Sequence, residues 1–408
     1  MEAAFNRTFA ALKVRNFRLF IFGQGISLCG TWMQTISLSW LVLELTHSGT
    51  QLGLVVASQF LPILVIGMWG GVVADRFNKR RILYITQSLA GLLALTLGLL
   101  VITHTIHLWM IYALATGLGL VSVVDNPTRQ SFVVEMVGKD NVKNAVSLNS
   151  TLVNTARVIG PSIAGVLIAT IGIGQCFIFN GLSYIAVLIA LALMRQAELH
   201  VAPVSTRQPG QIRAGLSYIW SVPELKATLI MMFIIGTLTY EFPVILPLFA
   251  TITLHGNAGT YSTMMIATGI GAIFGGLYTA SRTASSETQL VWTAVLFGLS
   301  ILLVAVMPTF MTVLIVLLVV GACSVLFIAL GNTTLQLTSD PAMRGRVMAL
   351  WSIAFLGTTP IGGPIIGFIS DHTNPRIGLA VGGFAALAAG GIGLYVYSRS
   401  SSMLADRS

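Results

Sequence analysis

The sequence predicts an all-α membrane protein of twelve transmembrane helices in two pseudo-symmetric six-helix bundles, and three observations carry that prediction. Hydrophobic residues fill 55% of the 408 positions and charged residues only 9%, against about 25% charged in soluble domains. The charges are gathered into short stretches between long apolar runs. Landmarks of the first half recur in the second.

Crossing ~30 Å of hydrocarbon takes about 20 apolar residues per helix. Twelve runs qualify: 17–43, 51–74, 82–103, 108–124, 145–171, 176–194, 225–252, 258–280, 290–307, 310–335, 347–370 and 377–397. The first follows a basic lead of Arg7, Lys13, Arg15 and Arg18, but it is too long for a signal-peptide core and lacks a small-residue cleavage site. It is therefore expected to remain as a span.

All but two of the 22 lysines and arginines fall in the N-terminus, in alternate loops or in the tail. These are the hairpin 75–81, the connection 129–143, the linker 195–226, Arg282, Arg344 with Arg346, and Arg399 with Arg407. The exceptions are Arg376, on the opposite side, and Arg157, inside a span. Lys/Arg bias marks the cytoplasmic face, so both termini are expected there. The net charge of +9 is thus topological, and nucleic acid, which needs a basic face on a folded surface, is not an expected partner. The lipid bilayer is.

The polar stretch 195–224, with Pro203, Arg207, Pro209 and Gly210, reads as a cytoplasmic linker dividing a bundle at 1–194 from one at 225–408. Gly67-x-x-x-Gly71 recurs as Gly271-x-x-x-Gly275, Arg76 as Arg282, Asn126 as Asn332, and Gly160-Pro161 as Gly363-Pro364, at offsets of 203 to 206. Repeats of this kind pack as two bundles with a substrate cavity at their interface. Convergent small-residue packing motifs, common in membrane bundles, are the other reading.

Several chemistries lack their residues. Cys29, Cys176 and Cys323 are far apart inside apolar runs, so neither a disulfide nor a metal site is indicated. His47, His104, His107, His200, His255 and His372 lie near segment ends or in loops, which leaves no buried pair to hold a catalytic metal. A phosphate-binding Gly-x-x-x-x-Gly-Lys-Ser/Thr loop is missing as well, so ATP is not the drive and no cofactor is expected. An enzyme or a membrane scaffold is accordingly the remote reading.

The hairpin between the second and third spans reads Gly71-Val72-Val73-Ala74-Asp75-Arg76-Phe77-Asn78-Lys79-Arg80-Arg81. With twelve spans along the whole chain, it resembles the major facilitator superfamily loop Gly-x-x-x-Asp-Arg-x-Gly-Arg-Lys-Lys/Arg. Asn78 stands where the family has glycine, a mild change because Asn tolerates left-handed backbone. The resemblance implies the major facilitator fold, normally monomeric, in a bacterial cytoplasmic membrane. It implies also a cytoplasmic gate. Asp75 would cap the eleventh helix near Arg344 and Arg346, while Arg76 or Arg80 would pair with Asp125, alongside Gly71, Lys79 and Arg81. Cations that serve topology alone are the plainer alternative.

The stretch Asn16-Phe17-Arg18, Gly30-Thr31-Trp32-Met33-Gln34 and Trp40-Leu41-Val42 is similar to the drug:proton antiporter branch that includes macrolide exporters and the enterobactin exporter. In the fifth span, Gly160-Pro161-Ser162-Ile163-Ala164-Gly165 resembles the antiporter signature Gly-Pro-x-x-Gly-Gly, one glycine replaced by Ala164. Proline bends a helix and the flanking glycines let another approach the bend. The arginine that this branch often has in its fourth helix has no counterpart at 108–124.

Arg157 lies about 14 residues past Lys143, or ~21 Å along a helix, near mid-bilayer, where a charge needs a partner or water. Glu241, within Tyr240-Glu241-Phe242-Pro243, is the acid deep in an apolar run, with Pro243 and Pro247 loosening its helix. Two readings stand. A cavity-facing glutamate can load a proton on one side and release it on the other, or Glu241 is a permanent structural partner of Arg157 or an outer headgroup residue. By the same resemblance, spans one, four, seven and ten line the cavity, which makes Gln24, Trp32, Gln34, Tyr240 and Asn332 substrate-binding candidates alongside Glu241. Trp32 also fits an interfacial belt. The expectation is proton-coupled export of an amphipathic small molecule of the drug or siderophore class. An importer or facilitator on the same fold is the alternative.

Overall fold

In hydrocarbon every backbone donor must be satisfied within the protein, which makes helix the form an isolated apolar run can take. The computed structural model describes residues 10–200, 211–280, 287–340 and 343–405. Arg7, Pro203, Arg207, Pro209, Gly210, Arg282 and Arg407 lie outside them. Among the described residues, twelve helices are long and apolar enough to cross a membrane.

The first six are α1 (Arg15–Thr46), α2 (Gly49–Arg76), α3 (Lys79–Ile102), α4 (Leu108–Gly138), α5 (Asp140–Thr170) and α6 (Ile173–Leu193). A short helix α7 (Gln211–Ser221) precedes the rest. The seventh span is α8 (Pro223–Leu238), α9 (Phe242–Leu248) and a π-helical turn at Phe249–Thr253. Then come α10 (Ala258–Ala280), α11 (Glu287–Val306) and α12 (Phe310–Thr338). The eleventh span is split into α13 (Arg344–Leu356) and α14 (Thr359–His372), and α15 (Pro375–Ala405) closes the chain.

The chain divides into two units: unit 1 is Met1–Leu41 with Leu61–Thr206, and unit 2 is Val42–Phe60 with Arg207–Ser408. The chain separates within the stretch expected as a linker, but Val42–Phe60, the end of α1 and the start of α2, groups with the second unit. This segment meets α14 at Gly49, Gly53, Gly363 and Gly367.

Two local expectations are corrected. The connection 129–143 is helical rather than looped: α4 and α5 run through it, broken by Gly138 at φ 68°, ψ 173°. The helices go on through this charged stretch because their ends there have a core to bury. Phe132, Val133, Met136 and Val137 pack with Phe17, Phe20, Leu83, Leu191 and Met194. Asn78 is extended (φ −62°, ψ 113°), and what it supplies is an N-cap, its Oδ1 accepting from Arg81 N at 3.1 Å. His47, His104 and His255 lie at segment ends as expected, with positive φ of 49°, 56° and 52°. They serve as helix-ending turns on the side away from the basic loops, a position where left-handed backbone suits a C-terminal cap.

Close helix packing rests on glycine in both units. In unit 1 the α3·α6 pair is dense and Gly91 meets Gly181 across it. Unit 2 answers with α11·α15, where Gly298 meets Gly383. A Cβ at Gly271, Gly275 or Gly321 would fall on a backbone carbonyl across the α10·α12 contact. In α2 the close approach is made by Gly70 against the Val123 carbonyl, whereas Gly67 meets only Ile63 in its own helix.

Candidate functional site

In unit 1 the basic hairpin is anchored to the ends of the helices around it. Lys79 Nζ contacts Glu135 Oε1 at 2.6 Å, with both side chains nearly buried. Arg80 Nε donates to the Leu191 carbonyl at 2.8 Å and Nη2 to that of Ala192 at 3.3 Å, while its guanidinium lies 5.6 Å from the Tyr84 ring centre. Arg15 Nη1 donates to the Leu193 carbonyl at 2.7 Å. Asn16 holds both backbone groups of Arg195, at 2.9 and 3.0 Å. Cations at a helix C-terminus meet its unpaired carbonyls and its negative dipole end. Of the expected gate residues, Arg80 thus caps α6 and Lys79 is tied to α4, while Arg76 and Arg81 keep exposed side chains.

Asp125 does not take Arg76 or Arg80 as its partner here. It accepts from Thr86 Oγ1 at 2.6 Å and Gln87 Nε2 at 2.8 Å, with Arg129 Nε at 3.9 Å one turn along α4. Burial explains the choice, since neutral donors already in the core leave the carboxylate no need to reach the surface. Half-buried Arg157 lies 5.0 Å from the Trp32 ring centre, a cation–π contact between α5 and α1. Three residues on, Gly160 makes the approach possible: a Cβ there would stand 2.5 Å from Trp32 Cβ and 2.7 Å from the Cys29 carbonyl. Pro161 is buried within α5 and Gly165 half-buried.

Of the substrate candidates, Gln34 is buried and accepts from Asn180 Nδ2 at 2.5 Å. Gln24 is 2% exposed, its Oε1 without a hydrogen bond. In unit 2, Asn332 accepts from Gln336 one turn later. Tyr240 donates to the Ser324 carbonyl at 2.6 Å and packs among Phe242, Phe297 and Phe355 at ring-centre distances of 5.4 to 6.2 Å. Arg344 is exposed. Arg346 is half-buried, its Cβ 3.0 Å from where a Cβ of Gly215 in α7 would lie.

Glu241 occupies the break between α8 and α9, where Pro243 cannot donate to the helix ladder. Its carbonyl accepts from Val244 and Ile245, which starts α9. The side chain is 2% exposed, with the Thr359 hydroxyl beside it and no salt bridge to it among the described residues. Room for it comes from α14, where Cβ atoms at Gly362 and Gly363 would lie 2.9 and 3.3 Å from its oxygens. Arg157 belongs to unit 1 and Glu241 to unit 2.

Asp371, at the end of α14, is a residue that the sequence reading passed over. It accepts from Gly49 N at 2.5 Å, and from Ser48 Oγ, Thr50 N and Thr50 Oγ1 at 2.7 Å. The signal was available in Gly363-x-x-x-Gly367-x-x-x-Asp371, a four-residue spacing that places all three on one helix face.

Twelve candidate spans, a basic hairpin between two of them and buried polar groups within them fit a polytopic membrane transporter. The sequence pattern of the "transmembrane secretion effector" family matches residues 6–405, and the chain belongs to that family of the major facilitator superfamily, whose members are transporters rather than enzymes. It is 25% identical to the enterobactin exporter EntS of Citrobacter koseri, covering 92% of this chain and 90% of that one. The multidrug efflux pump Tap of Mycolicibacterium fortuitum is 24% identical over 84% and 86%. The staphyloferrin A transporter of Staphylococcus aureus is 30% identical, over 60% of this chain and 62% of its own length. Among solved structures, a POT family transporter in complex with a thioalcohol conjugated peptide gives a TM-score of 0.77 at 13% identity, covering 95% of this chain and 96% of that one. The nucleoside transporter NupG gives 0.72 at 13%, covering 94% and 99%. At such identities the likeness is one of fold.

Proposed function

We propose that this chain exports an amphipathic small molecule of the siderophore or drug class in exchange for protons. It does so as a monomer in the bacterial cytoplasmic membrane with both termini inside. Bundles at 1–194 and 225–408 rock about a central site, with the hairpin at Gly71 and Asp75 to Arg81, together with Asp125, Arg344 and Arg346, as the inner gate. Trp32, Gln24, Gln34, Tyr240 and Asn332 are the proposed substrate contacts.

The direction is supported by one observation: the relatives aligned over most of the chain are named an exporter and an efflux pump. Proton coupling is supported by Glu241, a buried carboxyl that no salt bridge among the described residues reaches and that has the Thr359 hydroxyl beside it. A proton is the smallest ligand that neutralises it. Arg157, stacked on Trp32, is the second proposed coupling group.

Transport into everted vesicles, across dyes, antibiotics and siderophores, tests the reading. Uptake that collapses on adding a protonophore is the expected result. Equilibration indifferent to the proton gradient would instead mean a facilitator, and accumulation only in right-side-out vesicles an importer.

A further inference from the structure

Within unit 2, α7 is too short to cross a bilayer, yet it carries an apolar stripe that the protein leaves open. Successive residues turn about 100° around a helix, and the sides of α7 sort by what they meet. Gly215 and Ile219 are buried; a Cβ on Gly215 would lie 3.0 Å from Arg346 Cβ and 3.6 Å from Leu350 Cδ1 of α13. Next around the helix come Leu216 and Trp220, one turn apart and 42% and 54% exposed. Beyond them stand Ser217 and Ser221, both exposed. On the remaining side Tyr218 Oη accepts from Asp340 N at 3.0 Å, which ties α7 to the turn between α12 and α13. The level of α7 along the spans says what covers the stripe. Val222, extended at φ −113°, ψ 108°, alone separates Ser221 from Pro223 at the start of α8, so α7 lies where the seventh span begins, and it packs on α13 where the eleventh begins. Trp220 is held at that level by Lys226, whose Nζ lies 5.6 Å from its ring centre. The charges around the stripe are half-buried Lys226 and Arg346 and exposed Arg344, against half-buried Glu224 and exposed Asp340, and Arg213 adds a cation to α7 itself. The balance is positive.

We propose that α7 lies in the plane of the bilayer surface with Leu216 and Trp220 in the boundary between acyl chains and headgroups, and that Lys226 beside the Trp220 ring binds an anionic phospholipid headgroup. Tryptophan favours that boundary, and a helix with leucine and tryptophan on one stripe and cations at its edge is held there by apolar burial and by attraction to anionic lipid. The indole face positions the ammonium, which keeps hydrogens free for a phosphate oxygen. Since the buried edge of α7 grips the first turns of α13, the lipid that seats α7 also braces the start of the eleventh span. Seating in lipid is independent of what the chain carries.

The experiment uses the full chain with its native cysteines replaced and either Leu216→Cys or Ser217→Cys added, labelled with bimane and reconstituted in phosphatidylcholine vesicles that contain spin-labelled lipid. The label at 216 should be quenched about three-fold more than the label at 217. Equal quenching at the two positions overturns the seat, and a label at 216 that lipid does not quench gives the stripe to a protein partner instead. Replacing about 30% of the phosphatidylcholine by phosphatidylglycerol should raise quenching at 216 about two-fold. Lys226→Gln should remove that gain and leave quenching in pure phosphatidylcholine as it was, while Lys226→Arg, which keeps the charge, should keep the gain. No gain with phosphatidylglycerol, or a gain that survives Lys226→Gln, overturns the headgroup site. Because quenching is read without transport, a protein that exports nothing would sink the proposed function and leave this test standing.

Discussion

At the scale of single residues, the polar groups divide into those already satisfied and those held in reserve. Glu241 is in reserve, and Glu241→Gln is expected to abolish proton-driven transport while leaving folded protein in the membrane. Full activity of that variant at every pH would reject the coupling role. The Lys79–Glu135 pair is satisfied. Glu135→Ala strands a nearly buried ammonium, at a cost of about 3–5 kcal/mol, so the midpoint of thermal aggregation should fall. Lys79→Met with Glu135→Leu should recover most of that loss, and a double variant as unstable as the single would assign the effect to packing instead. Glu241 was legible in the sequence because an acid in an apolar run needs a reason. Glu135 and Asp371 were not, since an acid near a span end reads as solvated until the fold brings its donors from 56 residues away for Glu135 or more than 320 for Asp371. Asn78 was legible as a turn residue and misread in mechanism, because capping and left-handed backbone favour the same side chain.

Among the elements, the helices were legible from apolar length and their interruptions were not. The α4–α5 junction carries enough charge to read as a loop, yet its apolar residues recur at helical spacing and bury against α1, α3 and α6. Proline located the break in the seventh span, at Pro243. The eleventh breaks ahead of Pro360, for which no span limit had allowed. Glycine content signalled close packing without saying which glycines take part: Gly321 and Gly391 look alike in sequence and differ in space. Gly321→Ala drives a methyl into the Thr268 carbonyl and should cost about 1–3 kcal/mol, visible as lower yield of folded protein. Gly391→Ala meets nothing within 4 Å and should be neutral or stabilising by up to about 1 kcal/mol. Equal effects of the two would mean that the α10·α12 contact is not the tight one.

For the whole molecule, the charge pattern predicts which loops face the cytoplasm, and the helix count makes that prediction global. A cysteine at Thr105, in the exposed turn between α3 and α4, should react with an impermeant maleimide in intact cells. One at Phe77, 63% exposed beside the basic residues, should react only after permeabilisation. The reverse pattern would invert every span. The seventh span has a separate consequence. Its ladder lapses at 239–241 and again changes register at the π turn, so, like the eleventh span broken at 357–358, it is a jointed limb. Torque arriving at its outer piece is absorbed at the joint by rotation of a few dihedrals, and the knuckle that takes up the motion is the place where the acid sits.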